Sequence, residues 1–111
     1  MLLHVVPLAD WSAAPEGPYA PASLTAEGFV HCSADGPAAL AVVDAHYREV
    51  PGPLLVLVID EELLTAEVRR EGSGGTLFPH VYGPVERTAV TSVLEVRRDA
   101  DGRARELVPR T

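Results

Sequence analysis

The chain has 111 residues, 47% of them hydrophobic and 23% charged, with a formal net charge of -7. That length fits one domain with one core, and the apolar content excludes a disordered chain. The acidic balance disfavours non-specific binding to nucleic acid or to an anionic membrane, both of which need a basic face.

In chain order, Leu2 to Val6 reads as a first strand that Pro7 ends, with Leu2, His4 and Val6 on one face. Asp10 to Ala14 suggests a helical turn, Pro15 to Pro18 a loop, and Tyr19 to Pro21 an extended segment. Ser23 to Gly28 reads as a second turn that Ser23 caps and Gly28 stops. Phe29 to Ser33 is a strand by pattern: Phe29, His31 and Ser33 share one face, Val30 and Cys32 the other. The clearest helix follows, with Asp35 as cap, Pro37 in the first turn, and Leu40, Val43 and Tyr47 as its buried stripe.

Pro51-Gly52-Pro53 breaks that helix, and the unbroken apolar run Leu54 to Ile59 predicts a central strand. Glu61 to Leu64 is a short turn and Glu67 to Glu71 a strand. Gly72 to Gly75 is a flexible connector, and Phe78 to Tyr82 is extended, with His80 and Tyr82 facing away from Val81. Val85 to Ala89 suggests a short helix. Val90 to Arg97 and Arg103 to Val108 form a hairpin around Asp99 to Gly102. About six strands with one clear helix give an α+β class.

The residue inventory limits the chemistry. All nine basic residues are arginines, and lysine, asparagine and glutamine are absent. Schiff-base and P-loop lysines are therefore excluded, as is an oxyanion hole built from side-chain amides. The lone Cys32 excludes an internal disulfide and a multi-cysteine zinc site. The opening Met1 to Pro7 lacks a basic region and a long apolar core, so it does not read as a signal peptide, and no apolar run approaches ~18 residues. The expected compartment is the cytoplasm. The sequence does not specify an oligomeric state.

Histidine carries the functional signal. His4, His31 and His80 each sit in an apolar, strand-like stretch, and imidazole is costly to bury without partners for its nitrogens. Three in one small domain suggest a shared pocket. His31 lies on the face of Ser33, whereas Cys32 points the other way and has no base on its own face to make it a nucleophile. His80 beside Tyr82 can orient a polar ligand. Arg69 and Glu71, two apart on one strand face, suit an anion and a hydroxyl respectively. Trp11 either walls the pocket or anchors the first helical turn. His46, late in its helix, is assigned no role. No two histidines are spaced as a local chelate, so metal binding is a weak expectation, and no Gly-x-Ser-x-Gly elbow exists.

Glu27-Gly28-Phe29-Val30-His31-Cys32-Ser33, Leu77-Phe78-Pro79-His80-Val81-Tyr82-Gly83-Pro84 and the opening Leu3-His4-Val5 resemble the bacterial domain-of-unknown-function family 952 (DUF952). Trp11, Arg69 and Glu71 fit the same pattern. The resemblance runs to about Val96, and the tail from Arg97 looks particular to this chain. The family is remotely similar to the ADP-ribosyltransferase fold. That similarity implies a split, mainly antiparallel sheet with few helices and a cleft for nicotinamide adenine dinucleotide (NAD). NAD would then be a substrate, with no tightly bound cofactor. It implies His31, His80 and Glu71 as catalytic residues, with His4, Ser33, Arg69, Tyr82 and Trp11 binding ligand. The segment around His31 is similar to the Val-His-x-Ser segment of RNA 2'-phosphotransferases, but no glutamate occupies an obvious late-strand position.

The expected function is binding of a dinucleotide or ADP-ribose-like small molecule, with ADP-ribosyl or 2'-phosphotransferase-type chemistry. The alternatives are a non-catalytic module for a small metabolite and a metal-dependent hydrolase using His4, His31 and His80.

Overall fold

The computed structural model describes residues 1–13, 16–72 and 75–110. Ala14 and Pro15 of the first predicted turn and loop, and Ser73 and Gly74 of the glycine-rich connector, lie outside the described residues. The described elements are β1 (Leu2–Pro7), α1 (Leu8–Ser12), α2 (Ala22–Glu27), β2 (Val30–His31), α3 (Gly36–His46), β3 (Leu54–Ile59), β4 (Val68–Glu71), β5 (Phe78–Val81), β6 (Val90–Arg98) and β7 (Ala104–Pro109). Short 3-10 turns cover Glu61–Leu63 and Arg87–Ala89.

Every named strand pairing is antiparallel, so the chain is a small α+β fold with few helices. The strands form a four-stranded sheet in the order β1-β3-β6-β7 and a three-stranded sheet in the order β2-β5-β4. Leu3 and Ser33 join the two through a pair of backbone hydrogen bonds of 2.9 and 2.7 Å.

The apolar run of β3 pairs with β1 on one side and β6 on the other, and both of its faces are covered. Leu55, Leu57 and Ile59 pack with Leu2 and Val6 against Val30, Cys32 and Val81 of the small sheet. Leu54 and Val56 pack with Val5 against Ala39 and Val43 of α3. Burial on both faces is why this strand shows no polar alternation. The resulting order is helix, large sheet, small sheet.

Several local expectations need correction. Described strands number seven rather than about six, and α-helical segments three rather than one. α2 starts at Ala22 behind Pro21, with no side-chain cap, because proline's fixed φ already suits a helix entrance; Ser23 lies inside the helix. Gly28 does stop it, at φ 88°. The strand expected over Phe29 to Ser33 pairs with β5 over Val30–His31 alone, and Ser33 turns to Leu3. The segment expected to be helical from Val85 is a 3-10 turn over Arg87–Ala89. Asp35 caps α3 by accepting from the Ala38 amide at 2.8 Å, and the helix buries Ala39 and Val43, with Leu40 and Tyr47 only half-buried. Arg98 donates to the carbonyls of Tyr47, Val50 and Gly52, which fixes the chain where α3 ends.

Candidate functional site

His4 sits on β1 opposite Leu57, between Leu2 and Val6, and is only 6% exposed. Its burial is compatible with polarity because both ring nitrogens are used. The carbonyl of His31 can only accept, so His4 donates to it through Nδ1–H over 2.6 Å. Nε2 is then the acceptor, and the Tyr19 hydroxyl donates to it at 3.1 Å. Tyr19 is held by paired backbone hydrogen bonds to Val85. Burial lowers the His4 pKa from 6.5 to about 4; the hydrogen bond to the His31 carbonyl opposes the shift and the His31 charge adds to it. Burial also pushes the Tyr19 hydroxyl well above its ordinary value.

The second group of side chains lies on the face of the small sheet that points away from Val30, Val68 and Val81. Pairing places His31, His80 and Arg69 in one cross-strand row and Phe78 opposite Glu71 in the next. His80 donates Nδ1–H to Glu71 Oε1 at 2.9 Å, and the Tyr82 hydroxyl donates to the same oxygen at 2.5 Å. These two donors, Tyr82 first, hold the Glu71 carboxyl below the usual carboxylate range, and the carboxylate in turn raises the Tyr82 phenol. Phe29 stacks on His80, with centroids 4.1 Å apart and planes 19° apart. The His31 ring stands edge-on to His80 at 5.3 Å and donates Nε2–H to Glu27 Oε2.

The two groups meet at an open cleft of about 590 Å³ between the sheets, α1, α2 and α3. Its lining includes His4, Tyr19, His31, Ser33, Phe78 and His80. The sequence-predicted His4, His31, Ser33 and His80 are therefore brought to one cavity. Trp11, Arg69, Glu71 and Tyr82 do not line it. Trp11 stands behind Tyr19, edge-on at 5.6 Å, with the Arg87 guanidinium 4.1 Å over its ring. Arg69 makes a two-pronged bond to Glu67, 3.0 and 3.1 Å, and lies 4.4 Å over the Tyr82 ring. Glu71 connects to the cleft through its hydrogen bond with His80, and Tyr82 binds that same Glu71 oxygen.

Sequence reasoning missed Tyr19, Glu27, Phe78, His46 and Tyr47, which also line the cleft. Glu27 and Phe78 stood inside the quoted motifs, and the short-range signal for Glu27 was its position four residues before His31. Cys32 faces the core as expected, and burial pushes its thiol up to about 12. Among the described residues no three His, Cys, Asp or Glu side chains form a metal-ligating group. His4 has both nitrogens engaged, so the three histidines are not arranged as a shared ligand set. No described helix is long and apolar enough to cross a membrane.

Residues 5–93 match the family described as protein of unknown function, DUF952. The crystal structure of protein CC0527 from Caulobacter crescentus is similar, with 31% sequence identity and a TM-score of 0.81 over 94% of this chain and 92% of that one. A double mutant of the same protein aligns over the same shares, with 30% identity and a TM-score of 0.80. No curated protein matches this sequence. With the family match running from within β1 into β6 and spanning His31, Ser33 and His80, the chain belongs to the DUF952 family.

Proposed function

We propose that the protein binds a dinucleotide or an ADP-ribose-like ligand in the cleft, on a fold of ADP-ribosyltransferase type, and that this ligand is a substrate rather than a resident cofactor. The observation that carries the reading is the meeting of His4, His31 and His80 at one cavity bounded by two antiparallel sheets. Ser33, His31 and His80 offer hydrogen-bonding partners for ribose hydroxyls, and Phe78 and Tyr47 add aromatic surface for a planar base. The cavity volume lies within the range of small-molecule sites, roughly 300–1,000 Å³.

The lining contains Asp10 and Glu27 but, among the described residues, no arginine. A phosphate group there takes its positive partners from histidine. Arg69, expected to bind an anionic group of the ligand, is committed to Glu67.

The test is a titration with NAD and with ADP-ribose, followed by melting temperature and by the histidine NMR signals. A ligand at 100 times its dissociation constant adds about 2.7 kcal/mol to stability. Binding raises the melting temperature and moves the signals of His31 and His80; unmoved signals reject the reading.

One observation favours binding without glycosidic transfer. Glu71 Oε1 is already shared by His80 and Tyr82, so that carboxylate oxygen is not free to face a ribose. Release of nicotinamide on incubation with NAD separates transfer from binding alone.

A further inference from the structure

We infer that His31 and His80 form a general acid–base pair that opens a ribose-borne cyclic phosphodiester in this cleft, an inference that rests on the ligand class proposed above. Each imidazole is held by its own carboxylate: His31 through Nε2 to Glu27, His80 through Nδ1 to Glu71. Each therefore keeps the other ring nitrogen, His31 Nδ1 and His80 Nε2, outside those bonds. The two rings are 5.3 Å apart, 77° to one another, and both line the cavity. Their spacing is set by the backbone, because His31 and His80 are direct cross-strand partners of β2 and β5. Phe29 contacts both rings, stacked on His80 and edge-on to His31 at 4.8 Å. Two nitrogen bases held side by side, each oriented by a third group, is the arrangement that proton transfer at both ends of one reaction requires.

Charge selects the substrate. A lining with Asp10 and Glu27 and, among its described residues, no arginine limits the negative charge held at the reacting phosphorus, and a cyclic phosphodiester carries a single one there. The leaving group agrees. Nicotinamide departs as a neutral base and needs no acid, whereas a ribose alkoxide must be protonated as it leaves.

In the step, water attacks phosphorus while His80 Nε2 takes one of its protons, so the new phosphorus–oxygen bond forms. The bond from phosphorus to the 2' or 3' ribose oxygen breaks, and protonated His31 gives its Nδ1 proton to that oxygen. The product is an open phosphomonoester. His80 holds the proton that His31 lost, and exchange with solvent resets the pair. Glu27 and Glu71 act as positioning residues.

The experiment incubates the whole protein with 2',3'-cyclic AMP and follows ring opening by phosphorus NMR, alongside melting curves with cyclic AMP and with ADP-ribose. Ring opening is expected, and His31→Ala and His80→Ala are each expected to slow it at least about 100-fold. Both variants should keep the wild-type fold by circular dichroism, and added imidazole should restore part of the lost rate. His80→Gln, which keeps a hydrogen-bonding group toward Glu71, serves if His80→Ala does not fold. A wild-type protein that is stabilised by ligand but leaves the ring closed overturns the inference and spares the ligand class. Either histidine variant retaining more than about a tenth of the rate overturns it as well. If neither cyclic AMP, NAD nor ADP-ribose shifts the melting curve, the ligand class fails and the inference goes with it.

Discussion

His4 donates its Nδ1–H to the main-chain carbonyl of His31, 2.6 Å away, so a buried side chain of the large sheet holds the backbone that carries an exposed histidine of the small one. The bond spans 27 residues of sequence. It makes His4 a structural support for the cleft wall as well as part of it.

A pH dependence follows. The folded protein holds His4 neutral down to about pH 4, whereas the unfolded chain takes up a proton near pH 6.5. The stabilisation is complete above pH 6.5 and is lost as pH falls from there to about 4. The loss from this group amounts to about 3 kcal/mol. Urea denaturation at pH 7.5 and pH 4.5 checks it: His4→Gln should be less stable than wild type at pH 7.5 and show a smaller loss on acidification. Equal pH slopes would assign the effect elsewhere.

Tyr19→Phe removes the donor to His4 Nε2 and leaves a buried acceptor unpaired. The expected cost is about 1–3 kcal/mol. Chemical denaturation at pH 7 measures it, and an unchanged midpoint would mean that water replaces the hydroxyl.

Cys32 should be inert in the folded protein, because its thiol is buried and stays protonated at neutral pH. Iodoacetamide at pH 8 should label less than a few per cent of native protein and essentially all of it in denaturant. Rapid labelling of the native state would show that the wall between β2 and the core opens.

Gly102→Ala tests the β6–β7 turn. Gly102 has φ +87°, and a Cβ there would stand 2.3 Å from the Arg48 carbonyl oxygen. Strain and clash together should destabilise by about 2 kcal/mol or more. A thermal melt reads this directly, and a shift of under about 2 °C would show that the turn relaxes at little cost.

Period and punctuation made much of the fold legible. The run of β3 showed a strand covered on both faces, the alternation in Phe78–Tyr82 separated His80 and Tyr82 from Val81, and Asp35 with Pro37 marked the start of α3. The placement of His4, His31 and His80 on the cavity followed from their strand faces, whereas Ser33 reaches it beyond the end of β2. What stayed hidden was pairing over distance. Nothing near Arg69 said that Glu67 would hold it, and nothing near Tyr19 said that its hydroxyl would meet His4, 15 residues away. Helix ends were misjudged where proline, not a hydroxyl, set the entrance, as at Pro21.

Leu3 and Ser33 exchange backbone hydrogen bonds at the seam where the sheets meet, and Ser33 also borders the cavity. A molecule seated in the hollow touches both slabs and ties them across that seam. Occupancy and stiffness then become one variable, and slowed deuterium uptake at the Leu3 and Ser33 amides would report a bound molecule before any turnover is seen.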